Sequence, residues 1–318
     1  MGKRVFAALG GLILWGLLSG CSLNKMVMKA AADALTGVGN STVFTGDTDP
    51  ELVGDALPFA IKVYEALLEQ QPGHQGLIVT TGSLFVMYAN AFVQGPAEML
   101  PPEALDQRLA ALERAQNLYL RGAAILRGGL EGRYPGIGRA QAEGSLDAYA
   151  ARLKSADVPL IYWYVAASLS AYAIDPFDLN LGTRLPELSA LINRAYELDP
   201  DFNEGALDEF FILFHGNVPP ALGGDRSKIE EHYRLALEKS RGLSAGAYIA
   251  YAEAVAVPAQ DYEAYKTCLG AALAIDVNQN PGTRLVNIIA QNRARYLLSH
   301  ASWYFLEAEE NEEGDYYW

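Results

Sequence analysis

The segment Gly-Leu-Ser-Ala-Gly at residues 242–246 has the spacing of a nucleophile elbow. An elbow needs a strand before the serine and a helix after it, so that a strained turn lifts the hydroxyl toward substrate. Here the preceding stretch SKIEEHYRLALEKS has helical spacing. The motif therefore reads as a turn between two helices, with Ser244 capping the second. The adjacent carboxylates Asp208/Glu209 and Glu230/Glu231 could do acid–base work. In a chain of formal charge −14, however, they read first as solvated helix faces. His74, His215, His232 and His300 form no i, i+4 zinc pair, and Cys268 has no partner at ligand spacing. His215 precedes Gly216 at a helix end and suits a cation facing the C-terminal dipole. The loop YPGIG lacks the strand–turn–helix setting of a phosphate site. The sequence thus offers no catalytic residues, metal ligands or cofactor site, and reads as non-enzymatic.

What is left is aromatic. Tyr162, Trp163, Tyr164 and Tyr172 fall in one apolar stretch, and Phe210, Phe211 and Phe214 in another. Most of these rings belong in a core. Tyr162, Trp163, Tyr164, Tyr172, Phe210 and Phe214 are the candidates to line an apolar groove for a hydrophobic small molecule, since stacked helix pairs leave concave surfaces.

The elements that would position them are helical. Asp49-Pro50 reads as an N-cap with proline at the first helical position. Leu57, Ala60, Ile61, Tyr64, Leu67 and Leu68 follow at helical spacing, with Pro58 expected to split the segment. LIVTTGSLFVMYANAFV (77–93) could be a buried strand, but its length and Gly-Ser interior favour a buried helix. A long helix is expected from about Pro102 to Leu126, a loop over 128–138, and a buried helix over 157–173. Three helix pairs follow, the first hinged at Asp199-Pro200. No strand alternation occurs, so the fold class is all-α. The stretches ending near 72, 200, 241 and 277 suggest degenerate tetratricopeptide-like helical hairpins stacked into a superhelical bundle. Unrelated amphipathic helix pairs would give a similar pattern.

The first 20 residues stand apart. Lys3 and Arg4 precede the apolar run VFAALGGLILWGLL, which is short for a membrane span. LLSGC then reads as a lipoprotein signal cut after Gly20, leaving Cys21 to carry lipid. Acyl chains contribute ~0.8 kcal/mol per buried CH2, so two or more make a lasting anchor. Residues 21–48 read as lipidated cysteine plus flexible tether, 49–306 as one helical domain, and 307–318 as an acidic, disordered tail. Cleavage would move the charge from −14 to −16 by removing Lys3 and Arg4. Such acidity argues against nucleic acid as a partner.

Several stretches together resemble one family. DALPFAIKVYEALL, YPGIGRA, DVPLIYWYVAASLSAYA, NVPPALGGDRSKIEEHYRLALEKSRGLSAGAYIAYAE and LVNIIAQNRARYLL are similar to the T-component lipoproteins, TatT, of tripartite ATP-independent periplasmic (TRAP) transporters. The resemblance implies a lipid-anchored, periplasm-facing, all-helical body that forms a homotrimer. It further implies an apolar cleft or pore in each protomer, and a role in docking the transporter's periplasmic substrate-binding protein. Ser22 after the lipidated cysteine points to the outer membrane. The competing expectations are an envelope lipoprotein hydrolase using Ser244 and a generic outer-membrane assembly scaffold.

Overall fold

The computed structural model describes residues 42–306, and no strand occurs among them. The principal helices are α1 (Pro50–Gln70), α2 (Gln75–Ala89), α3 (Leu105–Arg133), α4 (Val158–Ile174), α5 (Leu185–Leu198), α6 (Ala206–Asn217), α7 (Ile229–Lys239), α8 (Ala245–Tyr251), α9 (Tyr262–Ala274) and α10 (Arg284–Ser299). The all-α expectation holds. Cys21, Ser22 and the acidic tail lie outside the described residues.

Helix α1 starts as its sequence dictates. Asp49 Oδ1 accepts from the Leu52 N–H at 3.0 Å, and Pro50 occupies the first helical position. Pro58 does not split it. Pro58 is exposed, so the Gly54 carbonyl it leaves without a partner can be hydrated. Meanwhile Val53, Leu57 and Ile61 stay buried on the other face and keep the helix continuous across it. The last part of the expected tether is also ordered. Thr42–Thr45 forms a helical turn, and the Gly46 carbonyl accepts from Arg284 Nη1 at 2.8 Å.

Helix α2 is apolar nearly throughout and buried, as expected. Gln75–Glu98 is long and apolar enough to cross a membrane, but it serves here as a core helix. It lies very close to α3. A Cβ on Gly82 would sit 2.3 Å from Leu126 Cγ, and one on Gly129 would sit 2.6 Å from Ile78 Cγ2. That seam corrects the expected loop over 128–138. Gly128 and Gly129 stay helical because Ile78 fills the space beside Gly129, and α3 runs on to Arg133. The amides of YPGIG are taken internally: Glu131 accepts from the Gly136 and Ile137 N–H groups at 2.9 and 3.0 Å.

Helices α2 to α6 share the largest core, built around Tyr119, Leu126, Tyr164, Leu188 and Phe211. Helices α8, α9 and α10 share another around Tyr265, Leu269 and Ala294, where Cys268 is buried and its thiol pushed up by that burial. Helix α10 then returns to the beginning of the chain, with Leu285 packed among Val53, Leu57 and Phe85 of α1 and α2. The C-terminal helix α10 thus packs back on the N-terminal helices, and the α2–α6 core joins the middle of the chain.

Candidate functional site

Two helices, α2 and α8, are widened near a proline. After α2 comes a π-helical turn, Asn90–Gln94, and then the short helix Gly95–Glu98 with Pro96. After α8 comes a second, Ala252–Ala256, and then Val257–Ala259 with Pro258. A proline ring crowds the carbonyl four residues earlier and donates no hydrogen bond, so a wider turn relieves the clash without ending the helix.

These turns aim polar side chains at one cation on α10. Arg293 Nη1 lies 2.6 Å from Glu98 Oε2, and its Nη2 lies 2.7 Å from Glu253 Oε1. The network continues as Gln94 Nε2 donates to Glu98 Oε1 at 2.7 Å and the Tyr119 hydroxyl donates to Gln94 Oε1 at 2.6 Å. Burial works against the Arg293 charge, but Glu253 and Glu98 outweigh it and hold the guanidinium protonated.

The helix α8 N-terminus carries the second polar feature. Ser244 caps it as expected, its Oγ accepting from the Ala247 N–H at 3.4 Å. The same hydroxyl donates to Glu209 Oε2 of α6 at 2.6 Å. Gly246 makes this approach feasible, since a Cβ there would lie 2.2 Å from Glu209 Oε1. Burial raises the pKa of Glu209 and the Ser244 hydrogen bond lowers it by less, so the carboxyl titrates above its ordinary range. Tyr162 of α4 feels the Glu209 charge, and burial pushes its phenol up as well. The solvated-face expectation therefore holds for Glu230/Glu231, which are exposed, and fails for Asp208/Glu209. Asp208 is fully buried and accepts from Lys239 Nζ at 2.7 Å and Tyr196 at 2.9 Å, with His232 Nδ1 at 2.8 Å.

Tyr162, Glu209 and Arg293 are all partly exposed. Tyr162 of α4 and Glu209 of α6 belong to helices whose rings meet, Tyr162 and Phe210 lying 6.4 Å apart, while Arg293 of α10 lies between Glu98 and Glu253. An open groove of about 510 Å3 beside α5 is lined by Ser189, Asn193, Arg194, Glu197 and small residues. It offers an apolar guest little shelter.

The aromatic candidates divide. Tyr162 meets Trp163, Phe202 and Phe210 at centroid distances of 5.1, 5.3 and 6.4 Å, and Phe210 stacks with Phe214 at 6.1 Å. Tyr164 points elsewhere: it is fully buried and donates to Glu187, which pairs with Arg127 at 3.3 Å. Tyr172 packs toward Gly182 and shares no ring contact with the others among the described residues. Phe202 and the Arg293 network were not singled out by sequence, and Glu209 was read there only as part of a paired-carboxylate face. His215 also differs from expectation. It is buried, burial pulls its pKa down to about 4, and its neutral Nδ1 accepts from the Asp225 N–H at 3.1 Å. It is thus an acceptor and carries no charge for the helix dipole. Among the described residues, no group of three His, Cys, Asp or Glu gathers at metal-binding distance.

Two comparisons with known proteins bear on this geometry. The family model described as TRAP transporter T-component matches residues 46–305. An uncharacterized protein of Treponema pallidum (strain Nichols) is 33% identical over 306 residues, covering 92% of this chain and 95% of the relative.

Proposed function

The chain belongs to the TRAP transporter T-component family, and from that premise we propose that it docks the transporter's periplasmic substrate-binding protein and holds a hydrophobic ligand in a cleft or pore of its helical body. The observation that carries the ligand reading is the cluster of partly exposed rings Tyr162, Trp163, Phe202 and Phe210. The Trp163, Phe202, Phe210 and Phe214 rings beside Tyr162 supply apolar contact area.

The proposal places the protein on the periplasmic side of the envelope, held by lipid on Cys21 and sorted by Ser22 to the outer membrane. Labelled palmitate should enter the chain and be lost in Cys21→Ala, and fractionation should find the protein with outer-membrane markers. A homotrimer is part of the same reading. Leu52, Phe59 and Val63 form an exposed stripe on one face of α1, with Leu105 and Leu109 exposed at the start of α3. An unpartnered apolar stripe of this kind supports self-association. Light scattering of the purified chain should give three times the protomer mass.

Docking is tested with the substrate-binding protein encoded beside the transporter's permease. The two purified proteins should form a complex by calorimetry or size-exclusion. Repeated absence of binding removes the docking role. The hydrolase alternative has one observation in its favour, the 2.6 Å Ser244–Glu209 hydrogen bond. No strand precedes Ser244 among the described residues, and the hydrogen bonds of His215, His232 and His300 there go to Asp225, Asp208, Ser299 and Tyr296. Ser244→Ala should leave binding-protein docking intact, and loss of an esterase activity on that change would revive the hydrolase.

A further inference from the structure

Around the end of α3 the balance of surface charge reverses. Over residues 132–156 the exposed charged side chains are Arg133, Arg139, Arg152 and Lys154 against Glu143 and Asp147, whereas the whole chain carries 24 basic and 38 acidic residues. The nearby acids that could neutralise this group are engaged inside the protein. Asp157 is fully buried; it pairs with Arg133 Nη1 at 2.7 Å and accepts from the Tyr134 hydroxyl at 2.7 Å and the Lys154 N–H at 2.9 Å. Glu131 is taken by the Gly136 and Ile137 amides. Arg139, Arg152 and Lys154 pair with no carboxylate among the described residues.

Arg152 is the centre of the group. Its guanidinium carbon lies 5.6 Å from the Tyr134 ring centroid and 5.3 Å from that of Tyr149, and its Nη1 donates to the Pro135 carbonyl at 3.3 Å. The Arg133 guanidinium lies 5.7 Å from the same Tyr134 ring. Tyr134 is held at both ends, since its carbonyl accepts from the Tyr149 hydroxyl at 2.7 Å while its own hydroxyl reaches Asp157. The cation is therefore positioned before any partner arrives, which lowers the ordering cost of binding. A guanidinium pairs with a carboxylate through two parallel hydrogen bonds, and arginine and tyrosine are the residue types that dominate binding energy at interfaces. The group also lies far from the start of the described chain. Phe44 packs with Val53 and Leu57 near the start of α1, where a Cβ on Gly54 would lie 2.7 Å from Phe92 Cδ1. Tyr88 accepts from Arg114 Nη2 at 3.2 Å, toward the start of α3. Tyr134 comes at the other end of α3, roughly 30 Å from Arg114. A surface turned away from that end suits a soluble partner better than a lipid surface.

We propose that Arg152, with Arg133, Arg139 and Lys154 around it and the Tyr134 ring against it, docks an acidic face of the periplasmic substrate-binding protein. This rests on the docking reading above and adds to it the surface used and the charge of its counterpart. Arg152 meets a partner carboxylate directly. Arg139 and Lys154 steer the encounter by longer-range attraction, against the repulsion of the acidic remainder of the chain.

The test titrates the full chain in detergent with the purified binding protein encoded beside the permease, by calorimetry. The dissociation constant should rise with added salt, because screening weakens exposed charge pairs. Arg152→Glu should weaken binding by on the order of tenfold or more, and Lys154→Glu by a smaller factor. Arg295→Glu makes the same change of charge at an exposed site on α10 and should bind as the parent does. Thermal melts show that each variant is folded. If the parent binds and Arg152→Glu and Lys154→Glu bind as tightly as Arg295→Glu, this surface is not the contact, and the docking reading stands without it. If the parent does not bind, both fall. The same variants expose two other occupants. Short-chain phosphatidylglycerol that binds the parent and not Arg152→Glu would give the surface to anionic lipid. A lower mass by light scattering for Arg152→Glu would give it to a second copy of this chain. Either result overturns the proposal.

Discussion

Gly82→Ala in α2 is a sharp test of the packing, because helix propensity and sterics predict opposite signs. Alanine is favoured over glycine inside a helix by about 1 kcal/mol. Against this, the new Cβ would lie 2.3 Å from Leu126 Cγ and 2.7 Å from both Leu126 Cδ atoms. Carbon atoms at rest sit about 3.5–4.0 Å apart, so more than an ångström must be found. Leu126 is fully buried and cannot swing into solvent. The backbone cannot slide freely either, because a Cβ on Gly122 of α3 would already meet the Gly82 carbonyl at 3.0 Å. Overpacking of this kind costs about 1–3 kcal/mol and sometimes more, and here it belongs at the upper end. The net expectation is a loss of about 1–2 kcal/mol, or roughly 2–8 °C in Tm for a domain of this size. Gly128→Ala on α3 is the matched control. Gly128 is exposed, and a Cβ there would meet nothing within 4 Å. That change should raise Tm by a few degrees through propensity alone, at about 2–4 °C per kcal/mol. Far-ultraviolet circular dichroism melts of the two variants side by side decide the matter. Equal stabilisation by both substitutions would mean that α2 and α3 do not approach along this register.

Three further outcomes follow from the charges. Glu209 titrates above its ordinary range in the folded protein. The unfolded chain therefore ionises first as pH rises, and stability falls above the usual carboxylate range. Glu209→Gln should raise Tm at pH 8 and lose that advantage toward pH 4, as read by melts across a pH series. His215 shifts the other way, from 6.5 to about 4. The unfolded chain then takes up a proton first as pH falls, and up to ~3 kcal/mol of stability is lost between those values. His215→Asn should flatten that limb of a urea-denaturation pH profile, leaving a steeper loss at lower pH, where Asp208 must give up Lys239 and His232. Arg293→Ala leaves Glu98 and Glu253 facing each other without their cation. It should cost about 2–4 kcal/mol and broaden the urea transition by loosening α10 from the segments that carry Glu98 and Glu253, whereas a transition as sharp as the parent's would show that α10 is held by its apolar contacts instead.

The helices were legible because their signals are local. Asp49-Pro50, the apolar run 77–93 and the Ser244 cap each declare themselves within a few residues. The errors arose where a local signal was answered by a distant residue. Pro58 carries a breaker's penalty in sequence, but the buried Val53, Leu57 and Ile61 override it. Gly128-Gly129 looks like a loop, yet Ile78 of another helix fills the gap beside it. Asp208 and Glu209 are neighbours of the same type with opposite fates, one given a lysine and a histidine, the other a serine. No spacing in sequence distinguishes them, since those partners come from α7 and α8. The Arg293–Glu98 pair spans 195 positions and was invisible for the same reason. Of the six aromatic candidates, Tyr162, Trp163, Phe210 and Phe214 come together because the rings of α4 and α6 reach each other, with Phe202 beside them. Tyr164 and Tyr172 take other faces of α4, which a helical wheel alone could not orient in a helix apolar on every side.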